Sequence, residues 1–405
     1  MKTAGIICEY NPFHRGHAWQ IAELRCRLGE DTAVVCAMSG DFVQRGDFAI
    51  MRAQARAEAA VYGGADLVIE LPLPWAISSA EGFARGGVMT LAATGLVDTL
   101  VFGSECGDTA RLLHTAEALL CEGFPGRLRR ELAKGLSFAA AREAAAKALI
   151  GGDADVLREP NDILGVEYCK ALLQSSSSIA PLALRRRGAA HDGGSADGIA
   201  SASHIRALLA HEEDASAFLT AESAAVYARE CAAGRAPVEL ANAERAILSR
   251  LRMMEEADFA PFDGGNEGLY HRFYDAVQRE TTIDGILAAA KSKRYAYARL
   301  RRMLLATYLG VTALDMPQRV PYLRVLAFNG RGQALLKRMK QTVRVPVLTK
   351  SADVRALSGE AQALFALTAR AEDQYALAYP NLRQAKGGSA WTSGPAIIRD
   401  DGSTL

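Results

Sequence analysis

Thr3-Ala4-Gly5-Ile6-Ile7-Cys8, followed by Glu9-Tyr10-Asn11-Pro12-Phe13-His14-Arg15-Gly16-His17, decides the reading of this chain. The first run is short and apolar, as expected of a buried strand, and Ala18 to Leu28 carries a helical pattern. Pro12 puts a turn between them, so a strand end and a helix N-terminus meet within about twenty residues. A helix N-terminus offers unpaired N–H groups and the positive end of its dipole, which suits phosphate. His14 and His17 have only Arg15 and Gly16 between them, and both can face that point. Gly16 lets a ligand approach the backbone where a side chain would obstruct it. Such a corner suits attack on the α-phosphate of a nucleotide, where preorganised donors stabilise charge building on oxygen. Taken alone, a His-x-x-His pair is more often a core, solvated or metal-binding pair. Here no third Cys, His or acidic ligand follows nearby, and the strand–turn–helix placement favours the phosphate site.

Outward from this corner, Thr32 to Met38, Asp66 to Leu71 and Thr99 to Phe102 read as further strands. Ala53 to Tyr62 and Phe83 to Ala93 read as the helices between them, and Ile179 to Arg187 as a fifth strand. This alternation predicts an α/β fold with a Rossmann-like doubly wound parallel sheet. Ligands in such sheets bind at the carboxyl ends of the strands. The His corner, the Gly-punctuated loop Ser39 to Asp47, and Gly103-Ser104-Glu105 all fall there. Residues 108–150 read as largely helical, and Asn161 to Leu173 as a helix after Pro160. His191 to Ser203 is Gly/Ser-rich and reads as a mobile loop. After about Glu212 the strand signals fade into amphipathic helices. The expected division is therefore 1–211 and 212–405, the second part mainly α-helical with a polar, partly flexible tail after Asn381.

The 405 residues are half hydrophobic and 23% charged, which leaves room for two or three domains with substantial cores. Seven cysteines are scattered without Cys-x-x-Cys spacing, so reduced thiols are expected and neither disulfides nor a zinc or other metal site. The chain enters a strand at once and has no apolar run of membrane-spanning length. A soluble cytoplasmic protein is expected, with no membrane and no obligate protein partner. The net charge of +1 hides an asymmetry: residues 284–350 hold fourteen Lys and Arg against Asp284 and Asp315. Such a segment suggests a polyanionic partner. Lys291, Lys293, Arg294, Arg299, Arg301 and Arg302, interleaved with Tyr295 and Tyr297, are the candidate nucleic-acid-binding residues.

A second phosphate-binding element is suggested by Ile199-Ala200-Ser201-Ala202-Ser203-His204-Ile205-Arg206, which opens a helix. Ser203 alone would be an N-cap and Arg206 a solvated charge. Arg186 and Arg187 form either a solvated strand end or a nucleotide contact. Asn161 either caps its helix or reads an adenine edge with its paired donor and acceptor.

With these pieces in place, the chain resembles the bacterial tRNA(Met) cytidine acetate ligases of the HIGH-motif nucleotidyltransferase superfamily. The matching segments run in order: GIICEYNPFHRGH, AMSGDFVQRGD, GADLVIELP, FGSE, PNDILG, RRRGAA, ASASHIR, RYAYARLRRMLL and YLRVLAFNGRG. The resemblance implies an ATP-dependent ligase that makes acetyl-adenylate from acetate and ATP. The acetyl group then passes to the exocyclic amine of the wobble cytidine of elongator tRNA(Met), with Mg²⁺ arriving on ATP. It further implies an ATP-binding catalytic domain at 1–211 and a tRNA-binding one at 212–405. ATP would be held by Ile7, Glu9, Asn11, Phe13, His14, Gly16 and His17, with Gly103, Asn161, Arg186, Arg187 and Ser203. His14 and His17 would stabilise the α-phosphate transition state, and Ser203 and Arg206 would close on the β- and γ-phosphates. The chain departs from the family pattern at Arg187, where an aliphatic residue is expected. Two rival readings use the same residues: a small-molecule nucleotidyltransferase or pantothenate-synthetase-like ligase, and a non-enzymatic RNA-binding protein. The basic segment speaks against the first, and the presence of both phosphate elements against the second.

Overall fold

The structure, a computed structural model, describes residues 2–175, 177–187, 195–196, 198–262, 268–292, 295–399 and 401–404. Its main sheet contains β1 (Thr3–Cys8), β2 (Ala33–Ser39), β3 (Leu67–Leu71), β4 (Thr99–Ser104) and β5 (Ala180–Arg185). The second half of the chain adds β6 (Leu323–Phe328), β7 (Val347–Leu348) and β8 (Ala396–Ile397). The strand order is β7-β6-β3-β2-β1-β4-β5, with β8 also paired to β6. The five N-terminal strands pair in parallel, and β6 runs antiparallel to β3. Every residue of β1, β2 and β3 is buried, which explains their nearly unbroken apolar sequence: both faces of the sheet are covered. The order reverses between β1 and β4, and the crevice at that switch point is where such folds bind ligands.

Seven helices position the site: α1 (Arg15–Leu28), α2 (Ala53–Tyr62), α3 (Ala80–Ala93), α4 (Pro160–Gln174), α5 (Ala202–Ala210), α6 (Tyr297–Leu309) and α7 (Gly359–Ala376). One apolar core joins α3, α4 and the strands around Trp75, Phe83, Leu91 and Leu100. A second includes Phe13, Ile21 and Leu24 with the alanines of α2. A third joins the C-terminal helices through Phe273, Leu304, Phe365 and Tyr375. That third core also takes in Phe42 and Phe48 from the short hairpin Phe42–Val43/Asp47–Phe48. Phe48 stacks on Tyr375 with ring centres 5.8 Å apart, and the Tyr375 hydroxyl donates to Ala49 O at 2.7 Å.

The expected boundary at residue 211 is thus crossed in both directions. Leu323–Phe328 lies in the half read as helical, yet it extends the sheet, and its six residues are all buried. Short apolar runs cannot be told from helix segments by pattern alone, and pairing with β3 decides this one. The tail, too, makes contacts with the first half of the chain and the sheet. Ala396–Ile397 pairs with β6, and the Tyr62 hydroxyl donates to Gly402 O at 2.9 Å. Of the expected mobile loop, His191 to Ser203, residues 191–194 and 197 lie outside the described residues, and Ser195–Ala196 pairs with Ile199–Ala200. No helix among the described residues is long and apolar enough to cross a membrane.

Candidate active site

The turn from β1 into α1 is tightly determined. Tyr10 takes a left-handed φ of 45°, a strained conformation for a residue with a side chain, and the Asn11–Pro12 bond is cis. The Tyr10 ring packs on Phe13 and on His17 at centre distances of 5.0 and 4.7 Å. His14 is the N-cap of α1, and its Nδ1 accepts the Gly16 N–H at 3.0 Å. In return His17 Nδ1 accepts the His14 N–H at 3.3 Å. The two imidazoles stack with centres 3.7 Å apart. Both Nδ1 atoms are acceptors, so each neutral ring carries its proton on Nε2. Burial, then the charges of Arg186 and Arg206, push His14 down to about 3. His17 is lowered by burial, then by His14 and Arg186. Neutral N–H donors, not imidazolium cations, are therefore what this corner presents. Gly16 is required by packing: a Cβ there would lie 2.9 Å from His14 Cε1 and 3.1 Å from Ile199 Cγ2.

A cleft of about 280 Å³ opens at the carboxyl ends of β1 and β4. Ile7, Glu9, Asn11, His17, Gly103, Asn161, Arg186 and Arg206, all expected from the sequence, line it together. The others stand around it. His14 is buried against His17 and is not in the cleft lining. Phe13 is fully buried in the core, and its carbonyl accepts from Ser223 Oγ at 2.7 Å. Asn11 Oδ1 accepts from Ile50 N at 2.8 Å, so its side chain braces the neighbouring loop. Asn161 Nδ2 donates to Glu105 Oε1 at 2.5 Å, while its Oδ1 faces Arg186 Nη1 at 3.5 Å. Arg187 stands over the Trp19 ring at 5.1 Å, outside the cleft lining, where the expected aliphatic residue would have offered only apolar contact.

The segment expected to be a second phosphate element differs from expectation in one detail. Ser201, not Ser203, caps α5, accepting from His204 N at 3.2 Å. Ser203 lies one turn from Arg206, whose Nη2 donates to its hydroxyl at 3.3 Å. Arg206 Nη1 donates to Asn11 O at 2.8 Å, so the guanidinium ties the helix to the His-bearing turn. Several further residues belong to the cleft. Gln44 and Arg45 line the cleft from the hairpin, and the Gln44 N–H donates to Glu9 Oε1 at 2.7 Å. Their position in a loop at a strand's carboxyl end was the available signal. Arg56 is fully buried in α2 and donates to the carbonyls of Glu9, Ser39, Gly40 and Met51, fastening both cleft loops. Nothing in an alanine-rich helical sequence distinguishes that arginine from a solvated one.

The basic segment is dispersed by folding. Lys291 Nζ donates to Tyr295 O at 2.7 Å, and Arg299 stands over the Tyr295 ring at 5.1 Å. Arg301 pairs with Asp47 at 2.5 Å, and burial lowers Arg302 from its ordinary value. Lys293 and Arg294 lie outside the described residues. Arg324 is buried with Glu70 and Glu372, so it supports the core.

The switch-point cleft and the reciprocally capped His14 and His17 define a HIGH-type nucleotidyltransferase. Consistent with this, the HIGH Nucleotidyl Transferase family matches residues 1–390. The tRNA(Met) cytidine acetate ligase of Halothermothrix orenii is 36% identical, over 96% of this chain and 97% of its own. That of Acetivibrio thermocellus is also 36% identical, over 98% and 100%. The crystal structure of Thermotoga maritima TmcAL bound with alpha-thio ATP superimposes with a TM-score of 0.91 at 30% identity, covering 98% of this chain and all of that one. The chain belongs to the tRNA(Met) cytidine acetate ligase family.

Proposed function

We propose that this protein activates acetate with ATP and transfers the acetyl group to the exocyclic amine of the wobble cytidine of elongator tRNA(Met), in the cytoplasm. The observation that carries the reading is the convergence of His17, Arg186 and Arg206 on one cleft at the sheet's switch point. An acetate oxygen attacks the α-phosphorus while the bond to pyrophosphate breaks. His17 from the cleft wall, supported by the stacked His14, meets the charge growing on the α-phosphate oxygens with a preorganised N–H. Arg206 and Ser203 take the β- and γ-phosphates, and Gly103, Asn161 and Arg186 the nucleoside side. Mg²⁺ arrives with ATP, whose phosphate oxygens and waters supply most of the ligands it needs. No protein nucleophile is required, because acetate is the nucleophile and acetyl-adenylate the activated carrier. An anticodon-loop base is already unpaired, so bringing its amine to the adenylate costs little.

On this reading residues 1–211 form the catalytic part. Residues 212–405 dock the tRNA through Lys291, Arg299, Arg301 and Arg302 with Lys293 and Arg294. The experiment is pyrophosphate exchange into ATP with and without acetate. Exchange that requires acetate supports the reading, and exchange indifferent to acetate refutes it.

A further inference from the structure

A second cleft, of about 340 Å³, adjoins the first, and Arg206 lines both. Two elements form the wall between them. The hairpin turns Gln44 and Arg45 to the first cleft and Asp47 and Phe48 to the second. Helix α5 turns Ala202 to the first, Ala207 and Ala210 to the second, and Arg206 to both. The far side comes from the second half of the chain, including Glu239, Glu244, Asp284 and Arg301. Phe48, Ile50, Val238 and Ile283 give it an apolar floor.

The charges of the two clefts differ in sign. The first has Arg45, Arg186 and Arg206 with Glu9 as its carboxylate; the second has four carboxylates, Asp47, Glu239, Glu244 and Asp284, against Arg206 and Arg301. A triphosphate would be repelled from the second, whereas a group rich in N–H donors would be attracted. At its edge Arg301 Nη2 lies 2.5 Å from Asp47 Oδ2, and Arg301 Nε donates to Gly46 O at 3.3 Å. Gly46 has φ 77°, and a Cβ there would lie 2.5 Å from the Arg301 carbonyl carbon. Backbone contact therefore sets the pair in place.

We propose that this second cleft receives the acceptor cytosine, and that the Asp47–Arg301 pair reads its base-pairing edge. The inference rests on the acetyl-transfer reading and adds to it the site of the second substrate. A carboxylate beside a guanidinium presents an acceptor next to donors. Cytosine presents the complement, an N4–H donor beside the N3 and O2 acceptors. Uracil would turn its O4 lone pairs toward the carboxylate and leave the pair unmatched beneath the base, a strong means of rejecting an analogue. The base is flat and partly apolar and suits the floor. Its amine is bound at the wall, lined by Arg206, that the two clefts share.

The test uses two anticodon stem-loop RNAs that are identical except for cytidine or uridine at the wobble position. Their affinities are measured for the full-length wild type, Asp47→Asn and Arg301→Lys. Wild type should prefer the cytidine loop by about tenfold or more. Asp47→Asn should reduce that preference to within about threefold, because the amide can turn its NH₂ toward O4. Arg301→Lys keeps a charge beside Asp47 but lacks the two-pronged donor, and it too should lose most of the preference. A pair with only a structural role would instead weaken both loops equally, which overturns the proposal. So does full retention of the preference in either variant, or its absence in wild type. Failure of the parent reading is recognised separately, as wild type that shows no acetate-dependent exchange.

Discussion

The two clefts that share Arg206 were assembled from the sequence in opposite ways. The walls of the first come largely from the ends of β1 and β4 and the starts of α1, α4 and α5, where glycine, proline and histidine stand in local patterns. The second brings Asp47, Glu239, Asp284 and Arg301 together from points spread over more than half of the chain. One is basic and suits phosphate; the other is acidic and suits a base. The difference teaches that phosphate chemistry is written in short strings, because strand and helix ends provide it. An acceptor site built between distant helices leaves no string to find.

The sharpest way to break this contrast is at the first cleft. His17→Ala should lower acetate-dependent pyrophosphate exchange by roughly 10²–10³, the usual cost of one preorganised transition-state donor, and His14→Ala, which removes the ring stacked behind it, should lower it by less. Exchange within about threefold of wild type in both would remove the basis for the assignment. Arg206→Ala should follow, with exchange slowed about 10- to 100-fold and a raised KM for ATP, as expected when a charged hydrogen-bonding clamp is lost. A raised KM for tRNA in the same variant would sharpen the comparison, because this arginine borders both clefts.

Protonation supplies a further test. Burial holds His14 at about 3, below the ordinary value of about 6.5 for an unfolded chain. The folded state then binds fewer protons than the unfolded one. The stability linked to His14 is fully present above about pH 6.5 and is lost as pH falls toward 3. Urea melts at pH 7 and pH 4.5 should therefore show a smaller acid-induced loss in His14→Gln than in wild type. An equal loss in both would mean that the ring is not buried neutral.

Much of the first cleft was legible because its residues obey local rules. His14 and His17 open a helix after a strand, Arg206 sits in a helix start, and Asn161 follows Pro160. The reading erred where identity depends on partners. Ser203 looked like the cap, yet Ser201 occupies the capping position. Phe13 lies within the His motif but is spent on the core, where Gly63 leaves it room. Likewise β6 reads as helical because a short buried run carries no period, and it joins the main sheet by pairing with β3 about 250 residues earlier. The basic segment is one run in the sequence but not one patch in the fold. Folding distributes it among an ion pair with Asp47, a buried pair with Glu70 and Glu372, and surface positions such as Lys337 and Arg338.

Two smaller effects refine the account. Asn161→Ala removes the link between Glu105 and Arg186 and should raise the KM for ATP about three- to tenfold, in line with a net hydrogen bond of about 1 kcal/mol. An unchanged KM would leave Asn161 as a mere helix-start residue. Replacing Arg299 and Arg302 together by Ala should lower the salt slope of tRNA binding by about two, one for each lost phosphate contact. An unchanged slope would move the docking surface away from α6.

The most direct measurement is a nucleoside digest of tRNA incubated with the protein, ATP and acetate. The account predicts N4-acetylcytidine at the wobble position of elongator tRNA(Met), formed only when both ATP and acetate are present. Acetate-dependent pyrophosphate exchange without acetylated cytidine in any tRNA would contradict it, leaving an acetate-activating enzyme with a different acceptor.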